Sequence, residues 1–465
     1  MTGSRPTRAL RRAIGTAVAG LFAVAVVLAL VTPWPGFARE PVSVRALPEP
    51  TASLVSCSGP LLAVGRDATD ASQVTDAAPQ EVAAATGVDE LDGSVSRLEA
   101  PDVSGGAGPE ALTALPIDRV RTDLAAAGSS RVDDDDLRGF AASSCAPPLM
   151  ESWLVAGSGT TGAADVVLLS NPGGVAAEVA LTVFGAEGAA QPAAGTGIVV
   201  PARTQRLVPL ASLALGEESP VIRVNASGAP IQASLQASIT RTLLTGGVDQ
   251  VGVSAAPSEL QVIPSVSVVA APGEAGASES ASVLRVLAPS DDTTATVTLT
   301  PVDGGTLLTE ELPLTEGVPA ELELGALAAG AYRVEIRAEA PVVAGLWTTT
   351  GFGAGSDFAW HSVPAVLTVP SLVAIAEGPS PMLTISNDED ADAVVALSGP
   401  DGDTQVTIPA RGAVRIAVID AAVYRLAPEG GTIRANVTYR GEGALAGYDV
   451  IPADAAAEPV VVYTQ

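Results

Sequence analysis

Three stretches, spaced about a hundred residues apart, repeat one order of short apolar runs and turns. They read VVLLSNPGGVAAEVALTVFGAEG from Val166, VLRVLAPSDDTTATVTLTPVDGG from Val283 and MLTISNDEDADAVVALSGPDG from Met382. Each sets two β-branched runs around a turn rich in Gly, Pro, Asn or Asp. All three are followed by a hairpin of one kind: VIRVNASGAPIQASL, YRVEIRAEAPVVAGLW and IRANVTYRGEGALAGYDV. Period-two alternation in Tyr332 to Arg337 and Val414 to Val418 turns one face of the strand inward and leaves the other wet. A repeat of this length sets aside helical solenoids and parallel β-helices. It predicts an all-β chain of three tandem immunoglobulin-like or fibronectin-like β-sandwich modules, over 143–265, 266–368 and 369–465.

Ahead of the repeats, Arg5, Arg8, Arg11 and Arg12 precede an uncharged, mostly apolar run from Ala13 to Val31. At about 1.5 Å per residue the run reaches roughly 28 Å, close to the hydrocarbon thickness of a bilayer. Arginines before such a run stay cytoplasmic, so the rest of the chain is expected outside. Residues 1–12 then form a cytoplasmic basic start and 13–31 a transmembrane signal-anchor, with Trp34 at the outer interface. Cleavable signals carry shorter apolar regions, which favours an uncleaved anchor. Gly36-Phe37-Ala38 keeps an alternative open: Pro33 and Pro35 end the helix, and a signal peptidase releases the chain after Ala38. Leu54-Val55-Ser56-Cys57 has the look of a lipobox but stands too far from the apolar run to act as one.

Four of the 24 basic residues lie before the apolar run, which leaves 20 against 52 acids, a net charge of −32 on the exported part. Such a field repels nucleic acid and anionic head groups. Aromatic residues make up 3%, too few for a carbohydrate groove built on stacked rings. The two cysteines, Cys57 and Cys145, lie beyond the membrane segment, where one disulfide is the default and two buried thiols the alternative. Residues 66–142 are rich in Ala, Ser, Gly and Asp and read as a partly disordered insertion into the first module. Residues 32–65 would then be a linker and that module's first strands, with the cysteine pair tying the insertion's base.

Candidate sites are few. His361, the only histidine, stands in Asp357-Phe358-Ala359-Trp360-His361, and no nucleophile-elbow motif accompanies it. A structural place at a sheet edge is its expected role. Asp133, Asp134, Asp135 and Asp136, and Asp388, Asp390 and Asp392, carry enough oxygens for calcium but lack EF-hand spacing. Solvated acidic loops are the better reading, and no metal or cofactor is expected. Asn225-Ala-Ser227 and Asn436-Val-Thr438 match the glycosylation acceptor and fall on the late hairpins, where a strand or turn role suffices. Trp153, Trp347 and Trp360 are expected as sandwich-core anchors.

Several segments, in order, carry a family likeness: Ser152-Trp153-Leu154-Val155-Ala156-Gly157, Leu168 to Gly173, Val199-Val200-Pro201-Ala202, Ser227 to Ile231, Gly247-Val248-Asp249 and Ile263-Pro264. Together they resemble an uncharacterised family of actinobacterial membrane-anchored cell-surface proteins, a domain of unknown function. The likeness is clearest over 145–265. Ser56-Cys57-Ser58-Gly59-Pro60 stands where that family places Cys-Pro-Gly-Pro, with serine replacing the proline after the cysteine. The resemblance implies one N-terminal membrane segment, a β-rich secreted region and a cell-envelope location. It brings no activity and no catalytic residues.

The expected protein is therefore not an enzyme. It is a membrane-anchored structural or interaction component of the envelope, meeting an envelope polymer or another membrane protein and no nucleic acid. The alternatives are a secreted glycan- or calcium-binding protein and a hydrolase built on a carboxylate pair.

Overall fold

The computed structural model describes residues 7–31, 43–46, 49–66, 73–87, 93–118, 120–241, 244–269, 281–325, 327–453 and 460–463. The chain divides into two compact bodies, Met1–Glu49 with Ala457–Gln465, and Pro50–Ala456. The first holds α1 (Thr7–Val31), whose window Leu10–Ala29 has a mean hydropathy of 2.0 and no buried residue. The helix starts earlier than the expected span and takes in Arg8, Arg11 and Arg12. The same body pairs β1 (Ser43–Ala46) antiparallel with the terminal strand Val460–Tyr463. Arg5, Pro33, Trp34, Pro35 and Gly36-Phe37-Ala38 lie outside the described residues.

The second body is built of four lobes. The first contains β2 (Ser53–Ser56), β3 (Leu61–Val64), β4 (Val74–Ala78), β5 (Glu81–Thr86), β6 (Gly93–Arg97), β7 (Glu110–Ala114), β8 (Leu124–Asp133) and β9 (Arg138–Ser144). Its sheets are β2-β7-β6 and β5-β8-β9, with the hairpin β3-β4 beside them. Residues 66–142, expected as a partly disordered insertion, thus supply most of a lobe. The reason is its core. It is small and mixed: Val55, Cys57, Leu112, Ala126 and Cys145 meet between the sheets, and Leu61, Ala78, Val132, Leu137 and Ala141 form a second cluster, so no strand needs the long apolar run that marks one in sequence. The Cys57–Cys145 disulfide joins the start and end of this lobe. Closing an 88-residue separation contributes on the order of 4 kcal/mol in the chain-entropy picture.

The second lobe contains β10 (Glu151–Leu154), β11 (Val166–Asn171), β12 (Ala177–Gly185), β13 (Gly188–Ala190), β14 (Ile198–Val200), β15 (Thr204–Pro209), β16 (Val221–Ser227), β17 (Gln232–Arg241) and β18 (Leu244–Val251). Its sheets run β10-β16-β12-β13, with β14 also on β12, and β15-β11-β17-β18. The third contains β19 (Ser258–Val268), β20 (Ser282–Leu287), β21 (Thr293–Pro301), β22 (Leu308–Leu314), β23 (Ala320–Glu323), β24 (Gly330–Thr349) and β25 (Phe358–Ser362). Here β24 serves two sheets. Its first half pairs with β19 and β21, its second with β20 and β25. The expected module boundary at 265/266 therefore cuts through β19, which belongs to the third lobe.

The fourth lobe contains β26 (Ser371–Ala374), β27 (Met382–Asn387), β28 (Ala393–Gly399), β29 (Gly402–Ile408), β30 (Ala413–Ala417), β31 (Val423–Pro428), β32 (Ile433–Gly441) and β33 (Ala444–Asp449). Its sheets are β26-β31-β28-β29 and β30-β27-β32-β33. Numbered within a lobe, with β14 left out and β24 counted twice, the last three lobes share one order. It is first-sixth-third-fourth in one sheet and fifth-second-seventh-eighth in the other. With the β3-β4 hairpin set aside, the first lobe's β2-β7-β6 and β5-β8-β9 correspond to first-sixth-third and second-seventh-eighth of that order, and both outer strands are missing among the described residues. In each of the last three lobes the alternate apolar residues of the two sheets meet, as Leu383, Ile385, Val395, Leu397, Leu426 and Val437 do in the fourth.

The final strands of the four lobes pack in a closed cycle: β9 on β18, β18 on β25, β25 on β33 and β33 on β9. Side chains lock the same cycle from lobe to lobe. Gln236 on β17 exchanges two hydrogen bonds with the backbone of Leu62, at 2.8 and 2.7 Å, as a further strand residue would. Arg285 on β20 donates to the carbonyls of Gly157 and Pro220, Asn436 on β32 to Ser265, and Ser129 on β8 to Glu377. Trp153, Trp347 and Trp360, expected inside single modules, lie between lobes. Trp153 packs with Leu287 and Val343, and the other two join the second lobe's core from the third.

At the axis, Gly139 (φ +150°) and Gly247 (φ +115°) occupy equivalent positions, and a Cβ on either would lie 2.6 Å from Asp357 Oδ1. An L side chain is strained at these angles as well as obstructed. Gly247→Ala is expected to cost about 2 kcal/mol or more of unfolding free energy. Denaturant titration reads this directly, and an unchanged midpoint would contradict the packing described.

Candidate functional site

Asp357 is the residue the four lobes share. Its carboxylate is inaccessible to solvent. Oδ2 accepts the amide hydrogens of Phe140 (2.9 Å) and Leu445 (3.1 Å), and Oδ1 that of Val248 (3.2 Å). These three amides come from β9, β33 and β18, one from each of the other lobes, and the amide of Phe358 adds a fourth. Burial pushes this acid up to about 7, against the pull of the amide donors. Asp249 on β18 sits nearby, accepting from Trp360 N at 2.7 Å, and burial raises it well above the usual carboxylate range. Asp449 on β33 accepts from Ser362 Oγ at 2.6 Å and is pushed by burial to about 8. The axis is an acid-lined structural core.

His361 lies in the same strand set. Burial lowers it to about 4, and its Nε2 is 3.2 Å from Thr348 Oγ1. The ring abuts β33, where a Cβ at Gly447 would lie 2.9 Å from Nδ1. The geometry makes it a neutral packing residue.

The acidic stretches are occupied by arginines. Asp134 and Asp136 each lie 2.7 Å from Arg66, and Asp133 lies 2.6 Å from Arg138. Asp388 bridges two buried arginines, Arg434 at 2.7 Å and Arg333 at 3.2 Å. Asp390 pairs with Arg411, and Asp392 accepts the amide of Ala410. Among the described residues no group of three or more His, Cys, Asp or Glu side chains is placed to hold a metal ion. The two acceptor asparagines differ. Asn225 bonds Glu151 near the surface, whereas Asn436 is buried against the third lobe.

An opening exists where the fourth lobe meets the first. A cleft of about 440 Å³ is lined by Ser53 to Val55 of β2, Ile117, Val120, Arg121 and Asp123 of the first lobe. Across it stand Pro370, Arg425 and Ile451 to Ala453 of the fourth. Sequence reading missed both the axis and this seam. Asp357 stood in the segment singled out for its histidine, and Gly247-Val248-Asp249 in the segments that carried the family likeness.

The fold and these sites define a multi-lobed all-β protein with one apolar N-terminal helix. Residues 102–418 match the family of unknown function DUF5719, and the chain belongs to that family. The matched span includes β9, β18 and β25 of the axial cycle and stops before β33. No curated protein matches the chain.

The axial acids give the fold a pH dependence of definite sign. A carboxyl held above its unfolded value near 3.8 adds stability in full below that value, and the contribution is lost as pH rises through its folded value. Asp357, about 7, and Asp449, about 8, act this way, and so does Asp165, an acid buried within the second lobe that accepts the amides of Ser158 and Ser238 and is pushed by burial to about 7. His361, depressed from 6.5 to about 4, opposes them only as pH falls below 6.5. The melting temperature is therefore expected to rise as pH is lowered from 8.5 to 6.5, with a shallower slope in Asp449→Asn. Scanning calorimetry across that range measures it, and a slope of the other sign would sink the assignment.

Proposed function

We propose that the chain is a non-enzymatic, single-pass cell-envelope protein, held in the membrane by α1 with the lobes outside. It acts as a structural or interaction component. The observation that carries this reading is the order of features along the chain. Arginines in the first turns of an exposed helix precede its apolar run, which is long enough to cross a bilayer, and a disulfide-bonded body follows. Supporting a non-catalytic role, the one histidine is buried and neutral, and the raised carboxyls lie within the fold's core.

The lobes serve as immunoglobulin- or fibronectin-like modules at the level of architecture, two facing sheets with alternating inward residues. Their strand order is their own. The first two strands of each of the last three lobes fall in opposite sheets, whereas strands A and B of the immunoglobulin fold share one. Partners of matching chemistry are an envelope polymer or a second membrane protein. Gly36-Phe37-Ala38 supports a second reading, release after Ala38 as a secreted glycan- or calcium-binding protein.

Protease added to intact cells is expected to remove an epitope placed after Gln465, while α1 stays in the membrane through a carbonate wash. Protection of that epitope would contradict the outward placement. A mature chain beginning at Arg39 would instead select the secreted form.

A further inference from the structure

We infer that the seam cleft takes an extended, carboxylate-bearing polypeptide segment, which adds as a strand to the open edge of β2. This goes beyond the envelope reading and does not depend on where the protein resides.

The backbone is the first reason. In the β2–β7 ladder, Ser56 lies opposite Ala111, and the next residue, Cys57, donates its amide to Glu110 across the ladder. Odd positions therefore bond β7, and the N–H and C=O of Leu54 and Ser56 point to the other side. Ser56 is satisfied there by Ala146, through bonds of 2.9 and 3.0 Å. The ladder then stops, because Pro147 and Pro148 follow Ala146 and neither has an amide hydrogen to give. Leu54 is left facing the cleft with its ladder groups unpaired among the described residues. An edge of this kind pairs readily with an incoming strand.

The rim is the second reason. Ile117 and Val120 bond each other's backbone across a tight turn and are 37% and 66% exposed, and Leu115 beside them is 63% exposed. Large apolar side chains grouped at the mouth of a cleft mark an interaction site more often than scattered ones do.

Charge selects the occupant. The chain carries 52 acids against 24 bases, yet among the described residues the ionisable lining of this cleft is two arginines, Arg121 and Arg425, and one acid, Asp123. Asp123 is engaged by the amide of Leu372 at 3.0 Å, and Arg121 Nε bonds Ser53 Oγ beside the open edge. A cationic lining within an acidic protein favours an acidic strand and disfavours a basic one. A second copy of this chain, itself strongly acidic, would bring its own repulsion.

The test uses the full-length protein in detergent micelles. The probe is an acetylated heptapeptide library alternating Val, Ile or Thr with Asp or Glu, beside a matched library with Lys or Arg at the charged positions. Hydrogen–deuterium exchange reads the amides of Ser53 to Ser56. The acidic library is expected to slow exchange at Leu54 at least tenfold at saturation, and the basic library to leave it unchanged. Arg425→Glu, a change at an exposed position, is expected to weaken the acidic library at least fivefold with the melting curve intact. Equal protection by both libraries would overturn the proposal, as would protection by neither. So would protection that grows with protein concentration without peptide, because the occupant would then be a second copy.

Discussion

The carboxylate of Asp357 accepts amide hydrogens from three strands that belong to three other lobes, and this arrangement dictates much of the rest. Four final strands must reach the same point for those bonds to form, so the lobes have to close on one another. The positions beside the carboxylate must be small, which is why Gly139 and Gly247 stand there. A buried ionisable group costs free energy unless donors surround it, and here the donors are amides that would otherwise be unpaired in the interior.

The closed cycle also accounts for where other polar residues went. Gln236, Arg285, Asn436 and Ser129 sit on inner strands of their lobes, a poor place for polar side chains in an isolated sandwich. Each reaches a backbone carbonyl of the neighbouring lobe. Arg285, 3% exposed, also pairs with Glu321 and lies 4.7 Å over the ring of Trp360. At these four positions a buried polar residue marks a junction, whereas Asn171 and Asn387 bond within their own lobes.

Much of this was legible from residues alone. The three-fold recurrence from Val166, Val283 and Met382 marks real consecutive strands, although the two in each copy fall in facing sheets, and alternation over Tyr332 to Arg337 marks half of β24. Of the three expected hairpins only the last, β32-β33, is one, the first joining opposite sheets and the second lying within β24. The cysteine pairing followed from the compartment implied by the arginine-flanked apolar run. The first lobe was hidden because its core is small, a few scattered Val, Leu, Cys and Ala side chains whose strands show no clear period among glycine and serine. The ring was hidden for a different reason: its bonds at Asp357 join residues 88 to 217 positions apart, and spacing along a chain says nothing about them. Asp133 to Asp136 and Asp388 looked like possible ligands for a cation because their arginine partners, Arg66, Arg138, Arg333 and Arg434, are mostly remote in sequence.

The most direct measurement of the closed ring is native-state amide exchange at Phe140, Val248, Phe358 and Leu445, one amide from each lobe, followed together across denaturant. If the shared carboxylate binds the lobes into one cooperative unit, all four exchange with a single free energy equal to that of global unfolding. If each lobe opens on its own, with four separate free energies below the global value, the account fails.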